Sequence, residues 1–239
     1  MKLDKFSQDD FIKVSNRLVR SLTRGKTTSS QPKAILLGGQ SGAGKTMIHR
    51  IKQREFQGNI IIIDGDSYRS FHPNYLALQE KYGKDSVDYT KVFAGQMVEY
   101  LVDELSKQGY HLLIEGTLRT TEVPRKTAQL LATRGYQVSL AVIATKPELS
   151  YLSTLIRYEE LHAIDPSQAR ATPKEHHDGI VEHLVANLRE LENDKIFNQI
   201  QIYQRDQSCV YDSQVDETSA AEVLHECLLE NGTRWKKRC

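Results

Sequence analysis

Residues Gly39 to Thr46, with Gln40, Ser41, Gly42, Ala43, Gly44 and Lys45 between them, spell G-x-x-x-x-G-K-T, a spacing suited to gripping a polyphosphate. Glycines at 39, 42 and 44 permit backbone angles that turn successive N–H groups inward around phosphate oxygens. Lys45 can then reach the β- and γ-phosphates, and the Thr46 hydroxyl can ligate Mg2+. The string is short enough to arise by chance, so its surroundings decide. "AILLGG" before it reads as a buried strand and the residues after it as a helix, whose N-terminus adds positive partial charge at the same place. A nucleotide-binding loop is the expectation.

A loop of this kind serves hydrolases, switches and kinases, and the other chemical residues must choose between them. A GTPase switch carries D-x-x-G, which the sequence lacks. "TKPE" (145–148) comes near the guanine-reading [NT]-K-x-D but reads better as a helix start with Pro147 at its first position. In "IIIDGDSYRSFHP" (61–73), Asp64 and Asp66 stand where a buried strand opens into a loop, the edge at which open α/β sheets bind ligands. A carboxylate there can take the proton of a hydroxyl while a phosphoryl group moves to it. Asp64 suits a capping role, and Asp66 lies further into the cleft. "LLIEGTLR" repeats the arrangement, with Glu115 at the strand end and Thr117 and Arg119 beyond; Glu115 can hold a Mg2+ water or a substrate hydroxyl. Arg157 and Arg170 can face a transferring γ-phosphoryl group, although Arg157 can equally pair with Glu160 on its own helix. His176 and His183 lie seven apart in "EHHDGIVEH", without a third ligand or a zincin's spacing, and read as a solvated helix face.

Several elements must carry these residues. Apolar runs at 34–39, 59–64, 111–116, 137–145 and 200–204 are rich in Ile, Val and Leu without clean alternation, as strands covered on both faces are. Helical patterns lie between them near 44–55, 74–82, 87–108, 122–134, 147–163 and 173–193. This order predicts an α/β P-loop fold, a mostly parallel central sheet with helices on both faces. The 239 residues read as one domain: a capped helix and linker over 1–33, a core over 34–205, and a helix and basic tail over 206–239. A formal charge of +1 creates no global field toward nucleic acid or an acidic membrane. Three cysteines (Cys209, Cys227, Cys239) without C-x-x-C spacing suggest a reducing compartment and no zinc site. No apolar stretch reaches the length of a membrane span, and the N-terminus lacks a signal-peptide pattern, so a cytoplasmic location is expected.

Taken in order, "ILLGGQSGAGKT", "IIDGDSYRSFHPNY", "LLIEGTLRT", "ATKPELSYLSTLIRYEE" and "ARATPKEHHD" resemble the zeta toxins over about residues 5 to 228. The resemblance implies a P-loop kinase of the nucleotide-kinase and chloramphenicol-phosphotransferase kind. It implies ATP- and Mg2+-dependent phosphorylation of the 3′-hydroxyl on the N-acetylglucosamine of UDP-N-acetylglucosamine, which blocks peptidoglycan precursor synthesis. It further implies a cognate antitoxin that obstructs nucleotide access. On the matching positions, Lys45 and Thr46 would hold triphosphate and Mg2+, and Asp66 would be the base. Glu99, Glu115, Thr117 and Arg119 would surround the amino sugar, and Arg157 and Arg170 would face the γ-phosphate. Glu99 comes from the resemblance alone, since by itself it is an ordinary helix acid. The end, "CLLENGTRWKKRC", departs from the family's pattern. Residue chemistry by itself leaves two alternatives open: a P-loop kinase for another small alcohol (a drug, nucleoside or sugar acid), and a nucleotide-dependent switch.

Overall fold

The computed structural model describes residues 2–166, 169 and 171–229. Six strands form one sheet in the order β2-β3-β1-β4-β5-β6. They are β1 (Lys33–Gly38), β2 (Ile61–Ile63), β3 (Leu112–Glu115), β4 (Gln137–Ala144), β5 (Gln199–Gln204) and β6 (Cys209–Asp212). The first five run parallel, and β6 pairs antiparallel with β5. β1 lies between β3 and β4, in a register that sets Leu36 beside both Ile114 and Leu140. The chain therefore leaves β1 and β3 side by side at the carboxyl edge of the sheet, where a ligand crevice forms.

Alternate residues of these strands feed two separate cores, which is why their sequences show no polar alternation. Ile35 and Leu37 of β1 join Leu113, Ala141 and Ile143 beneath the helix α2 (Lys45–Glu55). Ala34 and Leu36 join Leu112, Ile114, Val138 and Leu140 on the opposite face. That second core also takes buried residues from α1 (Gln8–Leu22), α5 (Val87–Lys107), α6 (Glu122–Thr133), α8 (Lys174–Asn193) and α9 (Ala220–Leu229). Helices thus cover both faces, as the sequence predicts.

The N-terminal segment is more integrated than the sequence pattern shows. Ser7 caps α1 by accepting the Asp10 N–H at 3.1 Å, and Phe11 and Leu18 on its buried face enter the main core. The segment expected to be a linker is stitched down: the Thr27 N–H donates to the Asn59 side chain, whose amide donates back to the Thr27 carbonyl. Between β2 and α5 the chain forms short helical pieces, α3 (Gly65–Tyr68) and α4 (Tyr75–Tyr82) among them. The remaining helix, α7 (Pro147–Ile164), joins β4 toward α8. Among the described residues, no helix is long and apolar enough to cross a membrane.

Phe93 of α5 is fully buried and centres an aromatic cluster. Its ring meets Phe6 at 5.0 Å, His72 at 5.3 Å and Phe11 at 5.7 Å, all edge-on. Phe93→Ala is expected to cost about 3–5 kcal/mol, whereas Val92→Ala on the exposed side of the same helix should stay within about 0.5 kcal/mol. Urea denaturation of both variants checks this. Equal small losses would show that the N-terminal segment is not packed as described.

Candidate active site

The residues after β1 form the predicted loop, and Gly44 (φ 101°) serves as N-cap of α2. Lys45 begins that helix and bends back: its ammonium donates to the carbonyls of Gly39 at 2.9 Å and Gln40 at 3.2 Å. The Thr46 hydroxyl group belongs to an exposed residue one position on, at the same helix end. Gly42 (φ 74°) passes so close to α7 that an added Cβ would lie 2.0 Å from the Ser150 carbonyl oxygen. Gln40 is buried under the loop and donates to the Thr145 carbonyl at 2.6 Å and to the Ser150 hydroxyl at 3.2 Å. The Thr145 hydroxyl in turn donates to the Ala43 carbonyl at 2.8 Å. "TKPE" therefore braces the phosphate loop and starts a helix at Pro147, in line with the structural reading given to it.

Beside the loop, the end of β3 delivers the second group. Glu115 lies 3.7 Å from the Lys45 ammonium and 2.8 Å from Nε2 of His49, one turn along α2 from the lysine. The imidazole contact is short but lies off the hydrogen-bond direction. Beyond Glu115, the Gly116 N–H donates to the Leu37 carbonyl at 2.8 Å, fastening the loop to β1. Leu118 takes φ 54°, a left-handed conformation that costs a leucine energy. Its buried side chain presses on Gly38, and Asn187 of α8 donates to its carbonyl at 2.8 Å. This strained turn lies between half-buried Thr117 and exposed Arg119, whose N–H donates to the Thr117 hydroxyl at 3.4 Å.

On the other side of β3, Asp64 ends β2 and caps α3. It accepts the Asp66 N–H at 3.0 Å and the Ser67 hydroxyl at 2.7 Å, the capping role expected of it. Burial, then the charge of nearby Glu115, push its carboxyl above the ordinary range. Asp66 is exposed to the cleft and is held by Arg69 at 2.8 Å. Arg69 is anchored in turn to the Val87 carbonyl at 2.8 Å and the Thr90 hydroxyl at 3.3 Å of α5. Glu99 is exposed on α5, next to Val98, which packs near Gly65.

Arg157 is exposed on α7, in a stretch of that helix that stands away from the body. From Leu155 to Ile164 every residue is exposed except half-buried Tyr158. Arg157 forms no ion pair with Glu160. Arg170 lies outside the described residues, as does the basic tail with Cys239. His176 is exposed and feels the charges of Arg119, Asp66, Arg69 and Asp88; burial and then Arg119 lower its pKa. It is exposed, as the sequence reading of a solvated face has it, and its charged neighbours set it beside the cleft, which that reading does not show. Arg69 and His49 were also missed. Their only signals were helical spacings, three residues from Asp66 and four from Lys45.

The structure so joins Lys45, Glu115 and the phosphate loop directly, and sets Asp66 at the adjoining strand end. Thr46 and Glu115 offer oxygen donors, which suit a hard divalent cation. No group of three His, Cys, Asp or Glu side chains able to hold a metal occurs among the described residues. That donor set fits an ion held largely by nucleotide phosphates.

The zeta toxin family profile matches residues 18–216. This chain belongs to the zeta toxin family. Toxin PezT of Streptococcus pneumoniae serotype 4 is 67% identical over 237 residues, covering 99% of this chain and 94% of the relative. The zeta toxin of Streptococcus pyogenes is 41% identical, over 87% of this chain and 72% of its own length. A solved structure from the PezAT chromosomal toxin–antitoxin system of Streptococcus pneumoniae superposes with a TM-score of 0.91 at 66% identity, covering 98% of this chain and 93% of that one. This zeta toxin chain thus carries the family's fold from α1 through α9.

Two consequences of the geometry are measurable. A Cβ on Gly38 would lie 2.2 Å from Leu118 Cδ1, so Gly38→Ala should cost about 1–3 kcal/mol by overpacking. It should cost clearly less in a Leu118→Ala background, and strict additivity in denaturation would show that the two do not touch. Asp64 has a raised folded-state pKa, so its stabilising contribution is complete below the unfolded value and is lost as pH rises through the folded one. Asp64→Asn keeps a capping oxygen and discards the buried charge. Its stability relative to the parent should rise from pH 4 to pH 7 in thermal denaturation; a fall over that range would contradict the burial argument.

Proposed function

We propose that this chain is the toxin of a bacterial toxin–antitoxin pair and a kinase acting in the cytoplasm. It would transfer the γ-phosphoryl group of ATP to the 3′-hydroxyl of the N-acetylglucosamine of UDP-N-acetylglucosamine. The observation that carries the kinase reading is Asp66, an exposed carboxylate just past the end of β2, the strand paired with β3, whose terminal Glu115 faces Lys45 of the phosphate loop. The toxin role rests on near full-length likeness to Toxin PezT, and the antitoxin partner on likeness to a structure from the PezAT system. The sugar nucleotide and the position of attack rest on family membership.

In this reading the loop N–H groups take the phosphate oxygens, and Lys45 exchanges its two carbonyl partners for the β- and γ-phosphates. Thr46, and Glu115 through water, would hold Mg2+, which when bound neutralises developing phosphate charge. Asp66 accepts the proton of the sugar hydroxyl as its oxygen bonds to the γ-phosphorus, and ADP leaves. Arg69 fixes the orientation of that carboxylate. Glu99, Glu115 and Thr117 offer acceptors for sugar hydroxyls, and Arg119 a donor fork for the diphosphate. Arg157, from α7, and Arg170, from the stretch of sequence before α8, would approach the γ-phosphate, and the antitoxin would cover the nucleotide entrance.

Asp66→Asn should lower kcat by roughly 10²–10⁴ while preserving affinity for a slowly hydrolysed ATP analogue. Near-normal transfer would move the base role elsewhere. The substrate is tested by incubating the chain with ATP, Mg2+ and either UDP-N-acetylglucosamine, free N-acetylglucosamine or a panel of other small alcohols. Mass spectrometry and phosphorus NMR should show one added phosphate at the 3′ position of the UDP sugar and little product from the free sugar. Product from another alcohol, with none from the UDP sugar, would replace this substrate.

A further inference from the structure

Arg205 lies in the turn between β5 and β6, at the same carboxyl edge of the sheet as the phosphate loop. Its guanidinium donates to the Gly42 carbonyl at 3.3 Å and to the Ser153 hydroxyl of α7 at 2.7 Å. Its stem runs over the start of α2, with Cγ 3.7 Å from where a Cβ on Gly44 would sit. Arg69, Arg125 and Arg134 each face a carboxylate. Arg205 pairs with no carboxylate among the described residues; both of these bonds use one nitrogen of its donor fork, and the residue is exposed. An arginine that keeps its charge uncompensated on the rim of an anion-binding loop is placed to meet an anion.

Its place along the loop says which part of the anion. Lys45 is folded toward Gly39 and Gln40, the end that receives the β- and γ-phosphates. Arg205 sits at the other end, over Gly42 and Gly44, where the backbone cradles the phosphates nearer the nucleoside. We infer that Arg205 is a further nucleotide-binding residue, which holds the α-phosphate side of the bound nucleotide. The inference rests on the nucleotide-dependent reading above and adds a contact on the side remote from transfer. An interaction made equally in the ground and transition states acts on affinity more than on turnover. Arg205 is therefore expected to act differently from a γ-phosphate arginine.

The test is titration of the full chain with ADP and with a slowly hydrolysed ATP analogue by calorimetry, beside steady-state kinetics. Arg205→Ala should weaken both ligands about tenfold, the scale of one charge-assisted hydrogen bond. KM for ATP should rise in step, by more than kcat falls. Arg205→Lys should recover part of the affinity, since it restores charge without the fork. Ser153→Ala removes the tether to α7 and leaves the guanidinium, so ADP affinity should stay near that of the parent. Equal loss in Ser153→Ala and Arg205→Ala would overturn the inference by making Arg205 a brace for α7. Unchanged ADP affinity in Arg205→Ala would also overturn it. Failure of the parent chain to bind ADP would instead remove the nucleotide reading beneath it, a distinguishable result.

Discussion

At Gly38 the backbone of β1 comes within van der Waals reach of the Leu118 side chain, and a single methyl group there would have no room. The contact joins the two halves of the cleft. On one side it lies one residue before the phosphate loop, and on the other it sits between Thr117 and Arg119. The Gly116 N–H bond to the Leu37 carbonyl and the Asn187 bond to the Leu118 carbonyl close the same junction from two further directions. Left-handed backbone at a leucine persists only where its surroundings overdetermine it, and here a buried side chain and a captured carbonyl do so. The nucleotide loop and the neighbouring strand end therefore cannot drift apart without unpacking the core. That fixed separation is what an in-line transfer between two bound molecules requires.

Charge is distributed with the same economy. The whole chain is nearly neutral, so nothing in its total reveals the cleft. Two arginines away from the cleft are matched with acids: Arg125 bridges Glu190 and Asp194, and Arg134 pairs with Asp103. At the cleft Arg69 is used to orient an acid, and Arg119 and Arg205 face no carboxylate among the described residues. Burial, and then the charge of Glu115 at the adjoining strand end, raise the Asp64 carboxyl above its ordinary range.

What could be read in advance follows from what is local. The phosphate loop, the strands bearing Asp64 and Glu115 and the long helices are written in short-range patterns, and the structure places them within a few residues of expectation. β6 escaped notice because "CVYD" is too short to show a period and pairs antiparallel at the edge. The N-terminal helix looked appended because its apolar stripe names no partner; only packing shows Phe11 against Phe93. Arg69 and His49 were visible as spacings, but their targets belong to the three-dimensional cleft. Leu118 gave no signal, since a left-handed turn normally announces itself through glycine or asparagine. Arg157 had two possible partners in sequence, and the one on its own helix, Glu160, forms no ion pair with it.

That stretch has a kinetic meaning as well. Ser150 and Thr154 root α7 under the phosphate loop, but the turns beyond Leu155 are exposed apart from half-buried Tyr158. Such turns form a separate opening unit whose free energy lies well below that of the sheet. Amide hydrogens there exchange with solvent through local fraying long before those of β1 or β4, which exchange only when the whole domain unfolds. The residue at 157 thus rides on a segment able to wind and unwind while the cleft beneath it stays rigid. Leu155, Ile156 and Ile164 leave apolar area bare along that segment, so whatever packs against it also slows its unwinding.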